Sequence, residues 1–352
     1  MDNNESTRLL LLEHCKKYPS LEIRDVFKFL YQSSFGCEHA AADEKTVRER
    51  IISEYESVNS NEDIEMLDGD YFRLPLSYLK KGLSAATLAR LFCLSAVKEE
   101  NRHERLSEKL SVLKDLTAKG TLPFESESLE GELKEWEKQG YPSVSHTETF
   151  KREYSPSYRV ISKRFMPFLT LFTEIDRQLE NGQLMVAVEG GSASGKTTLA
   201  ELLSKIYDCT VFHMDDFFLR PEQRTSERMA EVGGNVDRER FLCEVLLPLS
   251  RGDSVCYRKM DCSTMTVGKG EIICPKKLVI TEGAYSMHPE LASYYDLSVF
   301  LYVSPELQRE RVIKRNGETF AQRFFKEWIP METEYFEKTD IKSRCDIVID
   351  TV

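Results

Sequence analysis

The spacing of apolar residues divides the chain into two textures. Over residues 1 to about 165 the apolar positions recur at helical intervals, as in Val26, Phe27, Phe29 and Leu30 and again in Leu88, Leu91 and Phe92, with almost no β-branched runs. Polar breaks at Asn59–Asp63 and Gly120–Glu127 separate these predicted helices. From about residue 184 the pattern changes to short apolar runs, each followed by a polar or glycine turn and a helical stretch. The runs are Leu184–Val188, Thr210–Met214, Ser254–Tyr257, Leu278–Thr281, Ser298–Val303 and Asp346–Ile349. Alternation of this kind predicts an α/β domain built on a parallel sheet with crossover helices. A helix over about 161–180, stopped by Asn181-Gly182, joins the halves. The expected organisation is a mainly α-helical domain over 1–165, a linker helix over 166–182 and the α/β domain over 183–352.

Bulk properties narrow the picture. A chain of 352 residues suits two cores better than one, and 41% hydrophobic with 30% charged residues is the balance of a chain able to bury them. A net charge of −11 argues against a general nucleic-acid binder, which needs a basic face to displace counterions. No apolar run approaches the roughly 18 residues that span a bilayer, and Met1-Asp2-Asn3-Asn4-Glu5 is acidic where a secretory signal is basic. The expectation is a cytoplasmic protein with no membrane partner. Nine cysteines, odd in number, scattered and without a C-x-x-C pair, read as reduced and mostly buried thiols. Self-association into a homo-oligomer is left open by these features.

The strongest chemical signal is Gly190-Gly191-Ser192-Ala193-Ser194-Gly195-Lys196-Thr197-Thr198, which fits the phosphate-loop pattern G-x-x-x-x-G-K-[ST]. Met185-Val186-Ala187-Val188 precedes it as a buried-strand run, and Leu199, Leu202, Leu203 and Ile206 follow at helical spacing, so strand, loop and helix stand in order. Glycines let successive backbone N–H groups curl inward onto phosphate oxygens, and the helix start adds partial positive charge. Lys196 is expected to reach the β- and γ-phosphates and the Thr197 hydroxyl to take one Mg²⁺ position.

Three further segments speak to an acceptor. Val211-Phe212-His213-Met214 runs into Asp215-Asp216, placing two carboxylates at a strand's C-terminal end, where α/β sheets bind ligands; a carboxylate there accepts the proton of an attacking hydroxyl. Leu278-Val279-Ile280-Thr281 ends in Glu282-Gly283, an acid suited to hold a metal-bound water. Ser304-Pro305 has the preferences of a helix start, and Arg311 and Arg315 of that helix, four apart, share a face that can close over phosphates.

Together these residues resemble the uridine kinase family with its nicotinamide riboside kinase and phosphoribulokinase relatives. The resemblance covers about 184–352. It rests on the phosphate loop, on His213-Met214-Asp215-Asp216-Phe217-Phe218-Leu219-Arg220-Pro221, on Asn235-Val236-Asp237, on Ile280-Thr281-Glu282-Gly283, on the arginine helix, and on a tail running from Phe324–Phe336 to Asp346–Asp350. It implies a P-loop domain with a five-stranded parallel sheet, ATP and Mg²⁺, and phosphorylation of a primary hydroxyl such as that of a nucleoside. By position Asp215 resembles the family's general base, Glu282 its magnesium-linked acid, Asp237 a ligand for sugar hydroxyls, and Arg311 and Arg315 the lid arginines. Asp216, Tyr257 and Asp261 are expected to line the acceptor pocket. One departure stands out: Tyr257-Arg258-Lys259-Met260-Asp261-Cys262-Ser263 lacks the base-contacting histidine that follows the Tyr-Asp-Phe run of pyrimidine-specific members.

The N-terminal half resembles no family of named activity. Ser33–His39, Phe72–Leu76, Ser143–His146 and Tyr154–Arg159 gather polar, aromatic, glycine and proline residues between predicted helices, a set able to line a second ligand pocket. Cys37, His39 and His146 lack metal-site spacing. The competing reading of the whole is an ATP-hydrolysing switch, or a nucleotide-binding scaffold, that controls the helical half.

Overall fold

The computed structural model describes the chain apart from residues 1, 2, 39–42, 57, 59–61, 98, 99, 262 and 352. His39, Cys262 and most of the polar break at 59–63 therefore lie outside the described residues. The chain divides into two compact units, Met1–Leu169 and Thr170–Val352.

The first unit is helical as the periodicity predicts. It contains α1 (Asn3–Lys17), α2 (Ile23–Phe35), α3 (Glu44–Tyr55), α4 (Ala85–Ser95), α5 (Arg102–Ala118), α6 (Ser126–Lys138) and α7 (Glu148–Tyr154). Side-chain oxygens of Asp43, Ser84 and Thr147 cap the starts of α3, α4 and α7 by accepting from backbone N–H groups one turn on. Within the unit lies a small antiparallel sheet that the helical texture did not predict: β1 (Glu65–Met66), β2 (Tyr71–Pro75) and β3 (Tyr158–Ser162), in the order β1-β2-β3. Every residue of β2 is buried, Arg73 included, so the strand has no alternation for a period-two reading to find. The expected helix over 161–180 is corrected here. Its first part is the end of β3 and a 3₁₀ turn over Lys163–Phe168, and only α8 (Leu169–Leu179) is α-helix.

The second unit is a parallel five-stranded sheet of order β10-β9-β4-β8-β5, from β4 (Leu184–Gly190), β5 (Cys209–His213), β8 (Leu278–Glu282), β9 (Leu297–Tyr302) and β10 (Ile347–Asp350). The Ser254–Tyr257 run does form a strand, β6 (Val255–Asp261), but it leaves the sheet and pairs antiparallel with β7 (Thr266–Ile273) as a hairpin. The helices are α9 (Lys196–Ile206), α10 (Ser226–Met229), α11 (Arg238–Phe241), α12 (Leu247–Ser250), α13 (Pro305–Arg323), α14 (Ile329–Thr339) and α15 (Ile341–Arg344). A π turn over Leu242–Leu246 joins α11 to α12, and another over Phe324–Trp328 joins α13 to α14. Ser304 caps α13 through the Leu307 N–H, with Pro305 in its first turn, as its sequence predicts. Inside α13, Gly317 at φ 75° and ψ 158° breaks the helix into two. Phe212, Phe217, Phe241, Tyr257, Tyr285 and Tyr335 share one buried cluster; burying each such ring contributes about 2–3 kcal/mol.

Among the described residues no helix is long and apolar enough to cross a membrane. The expectation of mostly buried cysteines is corrected: of the described ones only Cys37 and Cys345 are buried, while Cys243, Cys256 and Cys274 are exposed, and all are free thiols.

Candidate active site

β4 is buried along its whole length and delivers the chain to the loop at Gly190. A Cβ on Gly190 would lie 2.6 Å from the Leu301 carbonyl oxygen and 2.8 Å from Ser194 Oγ, so only glycine lets the loop leave the sheet here. At Gly195, the N-cap of α9, φ is 98° and a Cβ would meet nothing within 4 Å, so the glycine answers to backbone conformation and not to crowding. Lys196 Nζ donates to the Gly191 carbonyl at 2.9 Å across the loop.

Two carboxylates that sequence reasoning missed hold the loop in shape. Glu332, on α14, accepts from the Ser192 N–H at 2.8 Å and from Ser192 Oγ at 2.7 Å. Burial raises its carboxyl above the ordinary value, with the Lys196 charge opposing. Glu189 is fully buried and accepts from the N–H groups of Gly190, Tyr285 and Met287 and from Tyr335 Oη. Burial pushes it up to about 7 against those donors. Both act through partners far away in sequence. The only local signal was an acid inside an otherwise apolar strand end, Val188-Glu189-Gly190.

Parallel pairing brings the other candidates to the same edge. His213 of β5 and Val188 of β4 are both register partners of Glu282, the last residue of β8, which lies between them. Glu282 Oε1 accepts from Thr197 Oγ1 at 3.3 Å and from His213 Nδ1–H at 2.6 Å. The bond to Glu282 raises His213 above the usual imidazole value; this histidine too was missed. Asp215 follows β5 with its side chain accessible, yet enough protein crowds it that desolvation leads in raising its carboxyl, with Lys196 opposing and Glu282 adding to the rise. Lys196, Thr197, His213, Asp215 and Glu282 thus form one electrostatically coupled group.

The remaining expectations divide. Asp216 accepts from Tyr257 Oη at 3.3 Å and Tyr257 is buried against Phe212 and Phe217, so these two do meet. Asp237 is buried, caps α11 through the Arg240 N–H and accepts from Gln223 Nε2 at 2.9 Å. Asp261, expected in the acceptor pocket, is exposed and ties its own turn instead: its Oδ1 accepts from the Ser263 N–H at 2.8 Å and Ser263 Oγ at 2.6 Å. Arg311 points to the loop, donating to the Ala193 carbonyl at 3.5 Å and to Thr351 Oγ1 at 3.1 Å. Arg315 does not join it; its guanidinium lies over the Phe324 ring at 5.6 Å. Ser194 Oγ is buried with no hydrogen-bond partner among the described residues. Among the described residues no three metal-binding side chains cluster as a ready-made cage.

Comparison with known proteins fits this geometry. Residues 185–323 match the model of the Phosphoribulokinase / Uridine kinase family. The match lies within the C-terminal unit. No family model matches the N-terminal half. The chain is 27% identical over 154 residues to Uridine kinase-like protein 4 of Arabidopsis thaliana, covering 41% of this chain and 32% of that protein. It is 30% identical over 185 residues to the bifunctional alpha-galactosidase/sucrose kinase AgaSK of Mediterraneibacter gnavus, covering 46% of this chain and 20% of that protein. The chain thus spans a third or less of the length of these curated relatives. Among solved structures, a possible uridine kinase from Bacillus stearothermophilus is similar at 23% identity and a TM-score of 0.40, over 51% of this chain and 100% of that one. In the matched region the phosphate loop and the acids at the ends of β5 and β8 lie on one edge of the sheet.

Proposed function

We propose that the C-terminal unit transfers the terminal phosphoryl group of ATP to a hydroxyl of a small molecule, a nucleoside first among the candidates. The observation that carries this reading is the convergence of Lys196, Thr197, Asp215 and Glu282 at the C-terminal ends of β4, β5 and β8. The α9 start, with the loop amides that Glu189, Glu332 and the Gly191 carbonyl do not already hold, binds phosphate oxygens, and Lys196, released from the Gly191 carbonyl, follows the charge that develops on the β- and γ-phosphates. Asp215 accepts the acceptor's hydroxyl proton as that oxygen attacks the γ-phosphorus; the bond to the bridging oxygen breaks and ADP leaves with the electron pair. Arg311, already at the loop, stabilises the same charge.

The donor set fits Mg²⁺: a hydroxyl on Thr197 and a carboxylate on Glu282, 3.3 Å apart, are the one or two hard oxygen ligands that this ion takes alongside phosphates and water. When bound it would neutralise phosphate charge. His213 keeps the Glu282 carboxylate oriented.

By resemblance Asp237 and Asp216 are the residues assigned to sugar hydroxyls; Asp216 already holds Tyr257 Oη, and Asp237 is buried and holds Gln223 and the start of α11. The absence of a base-reading histidine after Tyr257, and the engagement of Asp261 in its own turn, favour a second reading in which the acceptor is a sugar without a base. The test is ADP release with uridine, cytidine, adenosine, nicotinamide riboside, ribose, fructose and sucrose. One acceptor raising turnover by at least about a hundredfold supports transfer. Slow turnover indifferent to every acceptor sinks it in favour of a hydrolytic switch.

A further inference from the structure

Within the N-terminal unit, three of the four segments of mixed polar and aromatic character, Ser33–His39, Ser143–His146 and Tyr154–Arg159, contribute walls to two adjoining hollows. One measures about 280 Å³ and the other about 810 Å³, and both have Lys28, Glu54, His146 and Pro156 in their walls. Gly36 and Cys37, from the loop after α2, and the run His146 to Arg159 supply the rest of the polar wall.

The wall is held by a buried polar chain. Asp25 on α2 is fully buried. Its oxygens accept from His146 Nδ1–H at 3.0 Å, from the Thr147 N–H at 3.0 Å and Thr147 Oγ1 at 2.7 Å, and from the Glu22 N–H at 3.0 Å. Burial pulls the Asp25 carboxyl upward, but those donors, His146 first, outweigh it and hold it at about 2. His146 is drawn down to about 4, chiefly by burial, so the imidazole is neutral and its bare Nε2 accepts from Tyr158 Oη at 2.7 Å. The buried Arg73 guanidinium lies 4.6 Å over the Tyr158 ring and is itself held by Gln32 and Glu65. Every member has a partner, so this side of the hollow is rigid.

Charge on the wall is not balanced in the same way. Lys28 lies on the α2 face of Asp25 and Gln32, at i+3 and i−4 from them. Asp25 is fully engaged elsewhere, and Lys28 has no hydrogen-bond or ion-pair partner among the described residues; neither has Arg50, on α3. Arg159 is taken by Glu54, at 2.8 and 3.0 Å. Burial draws the Lys28 ammonium down to about 8, with the Arg73 charge adding to the fall. A cation kept in such a place is costly unless an anion joins it.

We propose that this hollow is a second ligand site, taking a small dianionic metabolite whose phosphate or paired carboxylates lie between Lys28 and Arg50 and whose body rests against Tyr158, Val160 and Phe92. Two cations without carboxylate partners match a dianion, and the volume matches a metabolite. The site stands apart from the phosphoryl-transfer reading, because every residue in it belongs to the first unit.

The test follows hydrogen–deuterium exchange of residues 143–160 in the full chain, with the phosphate loop saturated by a non-hydrolysable ATP analogue. The probes are ribose 5-phosphate, malate and neutral ribose. One of the two dianions slows exchange there and ribose does not; which one succeeds tells phosphate from dicarboxylate. Lys28→Met and Arg50→Gln each raise the half-saturating concentration by roughly tenfold or more, the loss expected for one charge-assisted contact. Arg50 is exposed, so its variant reports even where Lys28→Met disturbs folding. Protection by neither dianion, equal protection by ribose, or unchanged half-saturation in both variants overturns the proposal.

Discussion

Asp215 and Glu189 are carboxylates two strands apart whose surroundings set them to different tasks. Asp215 is accessible and touches no nucleotide-binding atom in the structure, so Asp215→Asn is expected to lower turnover by about 10²–10⁴-fold while changing ATP affinity by less than about threefold. Turnover assays set beside calorimetric titration check the separation, and equal loss of both contradicts the role. Glu189 has no access to a substrate. Its folded value of about 7 stands above that of an unfolded glutamate. It therefore favours the fold fully below about pH 4.5, and that contribution is lost as pH rises through about 7, by at most about 3 kcal/mol. Glu189→Gln removes this slope from urea-denaturation midpoints across the window. It also sets an amide NH₂ where one carboxylate oxygen accepted from two of the four buried donors, which costs about 1–3 kcal/mol near neutral pH. Lys196, Asp215 and Glu282 were legible because each sits in a contiguous motif. Glu189, Glu332 and His213 were not: Glu189 meets Tyr285 at 96 residues' separation and Glu332 meets Ser192 at 140, distances over which local patterns carry no information.

At the scale of elements, the strand-loop-helix unit at β4 and α9 is the part most fully readable, because each residue's neighbours in space are its neighbours in sequence. Gly190 shows how little tolerance it has. Gly190→Ala sets a methyl group 2.6 Å from the β9 carbonyl at Leu301 with φ near 149°. We expect about 2–4 kcal/mol of destabilisation, read as a lower denaturant midpoint with unchanged slope. β6 illustrates the opposite case. Its apolar run reads as a strand, but nothing in the run says which partner it takes; a hairpin with β7 and a place in the sheet satisfy the same residues. The 161–180 segment failed for a related reason, since Phe165, Leu169 and Phe172 keep helical spacing while the backbone passes through a strand end and a 3₁₀ turn. The sheet of the first unit was missed because Arg73 and Pro75 disguise β2; the burial of Arg73 depends on Gln32 and Glu65.

At the scale of the molecule, the second unit is compact by itself and holds the aromatic cluster of Phe212, Phe217, Phe241 and Tyr257, so residues 170–352 alone are expected to fold. The expected readout is a single cooperative unfolding transition followed by circular dichroism, and a fragment without a transition contradicts it. The two units divide at Leu169, ahead of the change of texture near 184, and the job of the first did not follow from its pattern, because its polar residues acquire meaning only where α2, α3 and the 143–159 run converge.

The grip of Glu332 on Ser192 has a consequence for the order of events on the ribosome. The loop is translated some 140 residues before the carboxylate that clamps it. A nascent chain that already displays β4, the glycines and Lys196 therefore lacks the carboxylate that holds Ser192 until α14 has left the exit tunnel.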